Sequence, residues 1–221
     1  MPKVQKSSKP NYAFIDASNL FYGGVKSLGW KIDYKKLIRY VKTQYKIKKV
    51  FYYGGVELNG FSFNMFEEKK IDLKKLLLHL KKITKNKKLN KDGLIEIIKK
   101  IQKVKFYLKL EEFGYILKLK SVKIFREEDG RISKKANCDV DMTFDLMRLY
   151  NDYKGVLILS GDGDFTVVLK YLKETGKDVK ILARGERTAR EIRQLAGGDF
   201  RDFNYLREIL KFRDQKKRGH I

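Results

Sequence analysis

Residues 155–165 read GVLILSGDGDF, an apolar run that leads directly into two aspartates. Five residues without a polar side chain are typical of a parallel strand, because helices cover both faces of such a sheet. Gly161 and Gly163 permit a tight turn after the run, so both carboxylates can point to the same side. In α/β sheets, ligands bind beyond the carboxyl ends of the strands. Asp162 and Asp164 are therefore candidate functional residues.

Apolar runs of the same kind recur along the chain and alternate with segments whose apolar residues repeat at helical spacing. The charged segment that ends at Asn137 is expected to be a loop. The alternation predicts an α/β fold, a three-layer sandwich with a central, mostly parallel sheet and helices on both faces. Strands are predicted at residues 12–15, 50–53, 122–125, 155–159 and 179–183, and helices at 139–151 and 165–175.

Residues 69–123 differ from the rest of the chain, since they contain 18 lysines, five acids and no arginine, a net charge of +13. Leucines and isoleucines at helical spacing predict two helices here. Lys81 and Lys82 are among the lysines expected to contact nucleic-acid phosphates. We interpret this part as a helical insertion, at about 63–113, in a domain of residues 11–210 that is flanked by a basic arm (1–10) and a basic tail (211–221).

The overall composition points to a polyanionic partner. Lys and Arg number 51 against 27 Asp and Glu, a formal net charge of +24, which favours nucleic acid ahead of a membrane surface. The single cysteine, Cys138, excludes an internal disulfide framework and a cysteine-based zinc site. No segment approaches the roughly 20 apolar residues of a membrane span, and the first residues lack the apolar core of a secretory signal. We therefore expect a cytoplasmic protein without a membrane partner.

Two further aspartates belong to the same edge of the predicted sheet. Asp16 ends the first predicted strand, and Asp139 opens the helix that precedes residues 155–159. Clustered carboxylates repel one another and need a cation, and hard oxygen ligands favour Mg²⁺ or Mn²⁺. The competing interpretation is that an aspartate after a strand only caps a helix, as Asp164 would for the helix predicted at 165–175.

A helical wheel separates the acids of residues 139–150. Asp139 falls among the apolar side chains, on the face expected to pack against the sheet. Asp141, Asp145 and Arg148 fall on the opposite face, which is expected to be exposed. The wheel therefore predicts that Asp139 is a ligand and that Asp141 is not. The apolar face comprises Val140, Met142, Phe144, Leu146, Met147, Leu149 and Tyr150.

Three segments resemble the signature blocks of the NYN domain family, in particular its LabA-like bacterial branch, a relative of the PIN-domain ribonucleases. They are FIDASNLF at 14–21, CDVDMTFD at 138–145 and LILSGDGDF at 157–165. The likeness runs from about residue 11 to residue 210 and implies a PIN-like fold, a divalent-metal site and cleavage of RNA. It implies as metal ligands and catalytic residues Asp16, Asp139, Asp162 and Asp164, supported by Asn19, Ser160 and Asp145.

The resemblance and the charge together lead us to expect a divalent-metal-dependent endoribonuclease that acts on single-stranded RNA. Single-stranded DNA is left open as a further partner, and so is a homodimer. Arg184, Arg187 and Arg190 follow the last predicted strand and are expected to contact phosphate, because the planar guanidinium matches its oxygens. The alternative is an RNA-binding or adaptor module of the same fold with weak catalysis.

The lysines of residues 69–123 should set affinity for RNA rather than the rate of its cleavage, because phosphate contacts release counterions. Changing four or five of them to glutamine should weaken binding and flatten the plot of log affinity against log salt. Fluorescence anisotropy with a labelled RNA over a salt series measures that slope. An unchanged slope would mean that these lysines only solvate the surface.

Overall fold

A computed structural model describes residues 9–24, 29–86, 89–126 and 130–213. Most of the predicted basic arm and most of the predicted basic tail lie outside the described residues. The chain divides into two compact units, one formed by Met1–Phe51 and Asp139–Ile221 and the other by Tyr52–Cys138.

Strands and helices alternate through the first unit. Its strands are β1 (Asn11–Asp16), the start of β2 (Ile47–Val56), β6 (Gly155–Leu159), β7 (Asp178–Ala183) and β8 (Phe200–Asp202). Its helices are α1 (Ala17–Gly24), α2 (Tyr34–Gln44), α5 (Asp139–Arg148), α6 (Thr166–Glu174), α7 (Arg190–Ala196) and α8 (Arg207–Leu210). The second unit contains the end of β2, α3 (Leu73–Ile83), α4 (Lys91–Phe113), β3 (Ile116–Ser121), β4 (Lys123–Arg126) and β5 (Ile132–Lys135).

A six-stranded sheet with the order β3-β2-β1-β6-β7-β8 is the centre of the fold. The pairs β1–β6, β6–β7 and β7–β8 are all parallel, and β6 is buried along its whole length. Aromatic rings fill the core beside β1, where Phe14 stacks on Phe51 with ring centroids 5.1 Å apart and Tyr12 lies 5.9 Å from Tyr153. The predicted α/β fold with a central, mostly parallel sheet is confirmed.

The lysine-rich segment of the second unit folds as the predicted helical pair. Asp72 accepts hydrogen bonds from the first amides of α3, and Asn90 does the same for α4. Gly114 ends α4 in the left-handed conformation, with φ at 93°. Apolar residues of both helices are buried while most of their lysines are exposed, so these helices are ordinary amphipathic elements with a basic surface.

The expected charged loop before Asn137 is wrong in part, because it contains β5. This strand pairs antiparallel with β4, and Lys134 forms ion pairs with Glu57 at 3.1 Å and with Glu96 at 2.9 Å. Ion pairs with acids distant in sequence stabilise a strand that has almost no apolar residues. The strands β3 and β8 were also missed. β8 has only three residues and is defined by its pairing with β7.

No helix in the described ranges has the length and apolar character that crossing a membrane requires.

Candidate metal centre

The parallel register of β1 and β6 places Asp16 beside Ser160. The last paired residues are Ile15 and Leu159, so Asp16 at the end of β1 and Ser160 directly after β6 both lie at the carboxyl edge of the sheet. There the Ser160 hydroxyl donates a hydrogen bond to Oδ2 of Asp16 at 3.2 Å. The apolar runs that form the strands thus also bring their terminal polar residues together.

Asp16 is buried, with 3% of its surface exposed, and is held by neutral donors. Its Oδ1 accepts hydrogen bonds from the Ser18 amide at 2.9 Å, the Ser18 hydroxyl at 2.6 Å and the Asn19 amide at 3.3 Å. Burial of a carboxylate is costly without such bonds, and its position at the start of α1 favours the negative charge. The side chain is therefore fixed in one orientation.

Asn19 and Ser160, the predicted supporting residues, link the first and third sequence blocks. Oδ1 of Asn19 accepts a hydrogen bond from the Gly161 amide at 3.2 Å. Oγ of Ser160 accepts one from the Asp162 amide at 3.2 Å while it donates to Asp16. The turn that carries Asp162 is consequently tied to the end of β1.

Three of the four predicted ligands come together at this edge. Each of Asp16, Asp139 and Asp162 offers a carboxylate oxygen, and these atoms lie within 4.8 Å of one another. Burial raises the pKa of Asp139 above its ordinary value, and the negative charges of Asp16 and Asp162 raise it further. Asp164 acts in the same direction, although its side chain is exposed and lies outside this group of three.

The helix-capping interpretation applies to Asp162 rather than to Asp164. Oδ1 of Asp162 accepts a hydrogen bond from the Asp164 amide at 3.1 Å and so caps the 3-10 turn Gly163–Phe165. The helix α6 begins only at Thr166 and has no side-chain cap. Because a carboxylate has a second oxygen, the cap leaves Asp162 able to serve as a ligand as well.

The donor set fits a hard divalent cation. All three grouped side chains offer oxygen, and the group contains neither histidine nor cysteine. Carboxylate oxygens of this kind suit Mg²⁺ or Mn²⁺, whereas structural zinc sites use cysteine and histidine. A bound cation would also reduce the repulsion between carboxylates that lie this close together.

Comparison with known proteins identifies the family of the chain. The sequence pattern of the NYN domain family matches residues 12–206. The chain belongs to the NYN domain family. The chain is also similar in sequence to the "low amplitude and bright protein LabA" of Synechococcus elongatus, with 22% identity over 206 residues. The match covers 90% of this chain and 86% of that protein.

One solved structure shares the fold of this NYN protein, and a second is more distantly similar. A protein of unknown function from Vibrio parahaemolyticus has a TM-score of 0.56 and 19% identity, and the match covers 88% of this chain and 93% of that one. A flap endonuclease of bacteriophage T5, in complex with DNA and metal ions, has a TM-score of 0.43 and 12% identity over 85% of this chain and 60% of that one. The first likeness shows a common fold, and the second is too weak to establish anything further.

The predicted orientation of Asp145 is wrong. The wheel turned it toward solvent, yet its side chain is 6% exposed and Oδ1 accepts two hydrogen bonds from Arg148, at 2.7 and 3.0 Å. The ion pair allows a carboxylate to occupy the inner face, while Val140 and Phe144 are 69% and 62% exposed. The buried stripe of α5 in this NYN domain comprises Met142, Asp145 and Leu146, and Leu149 is buried in the turn that follows.

The predicted basic residues lie in both units. Arg184 follows β7, and its side chain is 14% exposed and pairs with Glu186 at 2.6 Å. Its Nε is buried and has no hydrogen-bond partner within the ranges that the structure describes. Arg187 and Arg190 are exposed along the segment that follows. Lys81 and Lys82 are exposed in the last turn of α3, in the second unit.

Ser18 and Thr188 contribute to the site although sequence reasoning gave them no role. Ser18 supplies two of the four donors to Asp16, and the Asp-x-Ser spacing typical of a side-chain turn could have revealed it. Thr188 is buried against Gly161, whose carbonyl accepts a hydrogen bond from the Ala189 amide at 2.9 Å. Nothing in the local sequence indicates the contact of Thr188 with Gly161, because it joins two turns that are distant in sequence.

Asp139→Asn should raise the melting temperature of the metal-free protein, on the order of 2 °C at pH 7 in EDTA. The pKa of Asp139 is raised, so its ionised form at neutral pH destabilises the metal-free fold. Mn²⁺ should then stabilise the wild type more than the variant. Thermal unfolding with and without Mn²⁺ measures both effects. The control is Asp141→Asn, an exposed position on the same helix. A lower melting temperature for Asp139→Asn than for the wild type in EDTA would contradict repulsion between Asp139 and the neighbouring carboxylates.

Gly161→Ala should weaken metal binding, because an added Cβ would lie 2.6 Å from Oγ1 and 2.9 Å from Cα of Thr188. The turn must move to relieve this contact, and Asp162 moves with it. Gly163→Ala is a milder change, with only the Ala189 Cβ at 3.3 Å. Calorimetric titration with Mn²⁺ should rank the affinities as wild type, Gly163→Ala and Gly161→Ala; equal affinities would show that the turn does not control the site.

Proposed function

We propose that this NYN-domain protein is a divalent-metal-dependent endoribonuclease that cleaves single-stranded RNA. The observation that carries the proposal is the group of three carboxylates, Asp16, Asp139 and Asp162, within 4.8 Å of one another at the carboxyl edge of a parallel sheet. Ligands of α/β proteins bind at this edge. The family membership supports the same conclusion, since the sequence blocks that define the resemblance contain these acids.

The three grouped carboxylates would hold the cation, with Asp164 as the fourth ligand. A bound divalent cation supplies a Lewis acid for the phosphate and lowers the pKa of a coordinated water. The contribution of the chain is to fix the ligands. Asp16 is oriented by Ser18 and Ser160. The Ser160 hydroxyl also positions the turn that carries Asp162.

The charge distribution supports a nucleic-acid substrate. Without a cation the carboxylates repel a phosphodiester, so attraction must come from the basic groups of a chain with a net charge of +24. Arg184, Arg187 and Arg190 follow β7 at the same edge as the acids and would contact phosphates near the point of cleavage. Lys81 and Lys82 would add sequence-independent contacts to the backbone.

Asp162→Asn and Asp139→Asn should each reduce cleavage at least a hundredfold with the fold intact, because an amide is a far poorer ligand than a carboxylate for a hard cation. Asp141→Asn makes the same change of charge on the exposed side of α5 and should retain most activity. The measurement is cleavage of a fluorescent single-stranded RNA with Mg²⁺ or Mn²⁺, on protein purified free of contaminating ribonuclease.

Three results would reject the proposal. Full activity in EDTA, or in Asp162→Asn, would show that the carboxylates are not required. RNA binding without cleavage under either cation would instead support the adaptor module. Loss of activity in Asp141→Asn but not in Asp139→Asn would mean that the ligand on α5 is misassigned.

A further inference from the structure

A cavity opens at the same edge of the sheet, beside the ends of β7 and β8. Its volume is about 620 Å³, within the range of ~300–1,000 Å³ that small-molecule sites occupy. It lies entirely in the first unit. The residues that line it are Gly185, Arg193, Phe200, Arg201, Asp202 and Tyr205.

The described lining is basic because it contains two arginines, Arg193 and Arg201, against one acid, Asp202, whose two oxygens both accept hydrogen bonds from backbone amides. Oδ2 of Asp202 accepts a hydrogen bond from the Gly185 amide at 3.1 Å, and Oδ1 accepts one from the Asn204 amide at 2.9 Å. An added Cβ on Gly185 would lie 2.6 Å from Oδ2 of Asp202, so this wall is closely fitted. Arg193 and Arg201 are exposed, and neither forms an ion pair within the described ranges.

The ring of Tyr205, which lines the same cavity as these arginines, is exposed to solvent. Tyr205 is 81% exposed, and Phe200, which also lines the cavity, is half-buried. An exposed ring next to unpaired arginines matches the needs of a nucleotide, because the ring stacks on a base and the guanidinium binds its phosphate. A purely apolar ligand would not interact with the charges of the arginines. A simple anion would not use the aromatic ring.

The position of the cavity connects it with the carboxylates. β7 lies between β6 and β8 in the sheet, and adjacent strands are ~4.8 Å apart. Asp162 follows β6, Gly185 follows β7 and Asp202 ends β8. Counted from Asp162, the cavity thus lies one to two strand spacings along the edge, ~5–10 Å, and Asp16 at the end of β1 lies one spacing further away. A single nucleic-acid strand that runs along this edge can reach both.

We propose that this cavity binds one unpaired nucleotide of the strand whose phosphate lies at the carboxylates. The base stacks on Tyr205, and a flanking phosphate contacts Arg193. A paired base cannot enter, since it is already stacked and hydrogen-bonded within a duplex. The cavity therefore selects single-stranded substrates. This inference rests on the proposed function, although the binding that it describes can be measured without cleavage.

The test compares three ligands in EDTA, where cleavage is stopped: a labelled uridine decamer, a decamer of the same ribose-phosphate backbone without bases, and an RNA duplex. Tyr205→Ala should weaken binding of the uridine decamer about tenfold and leave the other two unchanged, because only the first offers an unpaired base. Arg193→Gln should weaken binding of both decamers and lower the salt slope by about 1.

Matched variants separate stacking from general effects. Tyr205→Phe keeps the ring and should bind as the wild type does. Phe66→Ala removes a ring that is 91% exposed in the second unit, and Arg39→Gln removes an exposed arginine on α2; both should bind as the wild type does. Thermal unfolding confirms that each variant is folded, and the high exposure of Tyr205 makes its loss compatible with the fold.

The outcomes distinguish this inference from the proposed function. Unchanged binding of the uridine decamer by Tyr205→Ala, or equal weakening for the base-free decamer, overturns the nucleotide site, while metal-dependent cleavage by the wild type would leave the nuclease proposal standing. Binding of uridine monophosphate as tight as that of the decamer would also overturn it, since the site would then serve a free nucleotide. Tyr205-dependent binding without cleavage under either cation supports the nucleotide site and rejects the nuclease.

Discussion

The parallel pairing of β1 with β6 is the constraint on which the rest of the site depends. Ile15 lies opposite Leu159, so Asp16 and Ser160 leave the sheet side by side and hydrogen-bond to each other. A shift of one residue would turn every side chain of a strand to the other face. Both faces of these strands are buried, so it is the fit of particular side chains, such as Phe14 on Phe51 and Tyr12 beside Tyr153, that opposes the shift. Packing of the core thereby also determines the position of the carboxylates.

The acids of this protein are stabilised in two different ways, by neutral donors or by ion pairs, and the buried acid of the site, Asp16, is of the first kind. Asp16 is held by hydroxyl and amide donors, which orient it without cancelling its charge. Asp145 and Glu57 are paired with Arg148 and with lysines, so their charges are neutralised within the protein. Only the first kind of carboxylate keeps a net negative field for a cation. The site therefore stays negatively charged although the protein as a whole has a net charge of +24.

The lysine-rich helices show that composition and folding are independent here. The segment has a net charge of +13, yet α3 and α4 have ordinary caps and buried apolar faces. Most of their cationic groups extend into solvent, where repulsion between them is screened, while Lys100 is largely buried and pairs with Glu57. The same charges that contribute little to folding are available to bind phosphate.

The sequence alone determined the elements whose signals are local. The run at 155–159 coincides with β6, and the helical repeats of 69–123 correspond to α3 and α4, because burial on both faces or on one face leaves a direct pattern in the residues. Convergence of Asp16 and Asp162 followed from the rule that parallel strands end at one edge, and that of Asp139 from its place at the start of the helix that leads back to β6. Only the tertiary structure decided the inward turn of Asp145, the short strand β8 and the contact of Thr188 with Gly161. Each of these depends on a partner distant in sequence, and no local pattern of residues encodes such a partner.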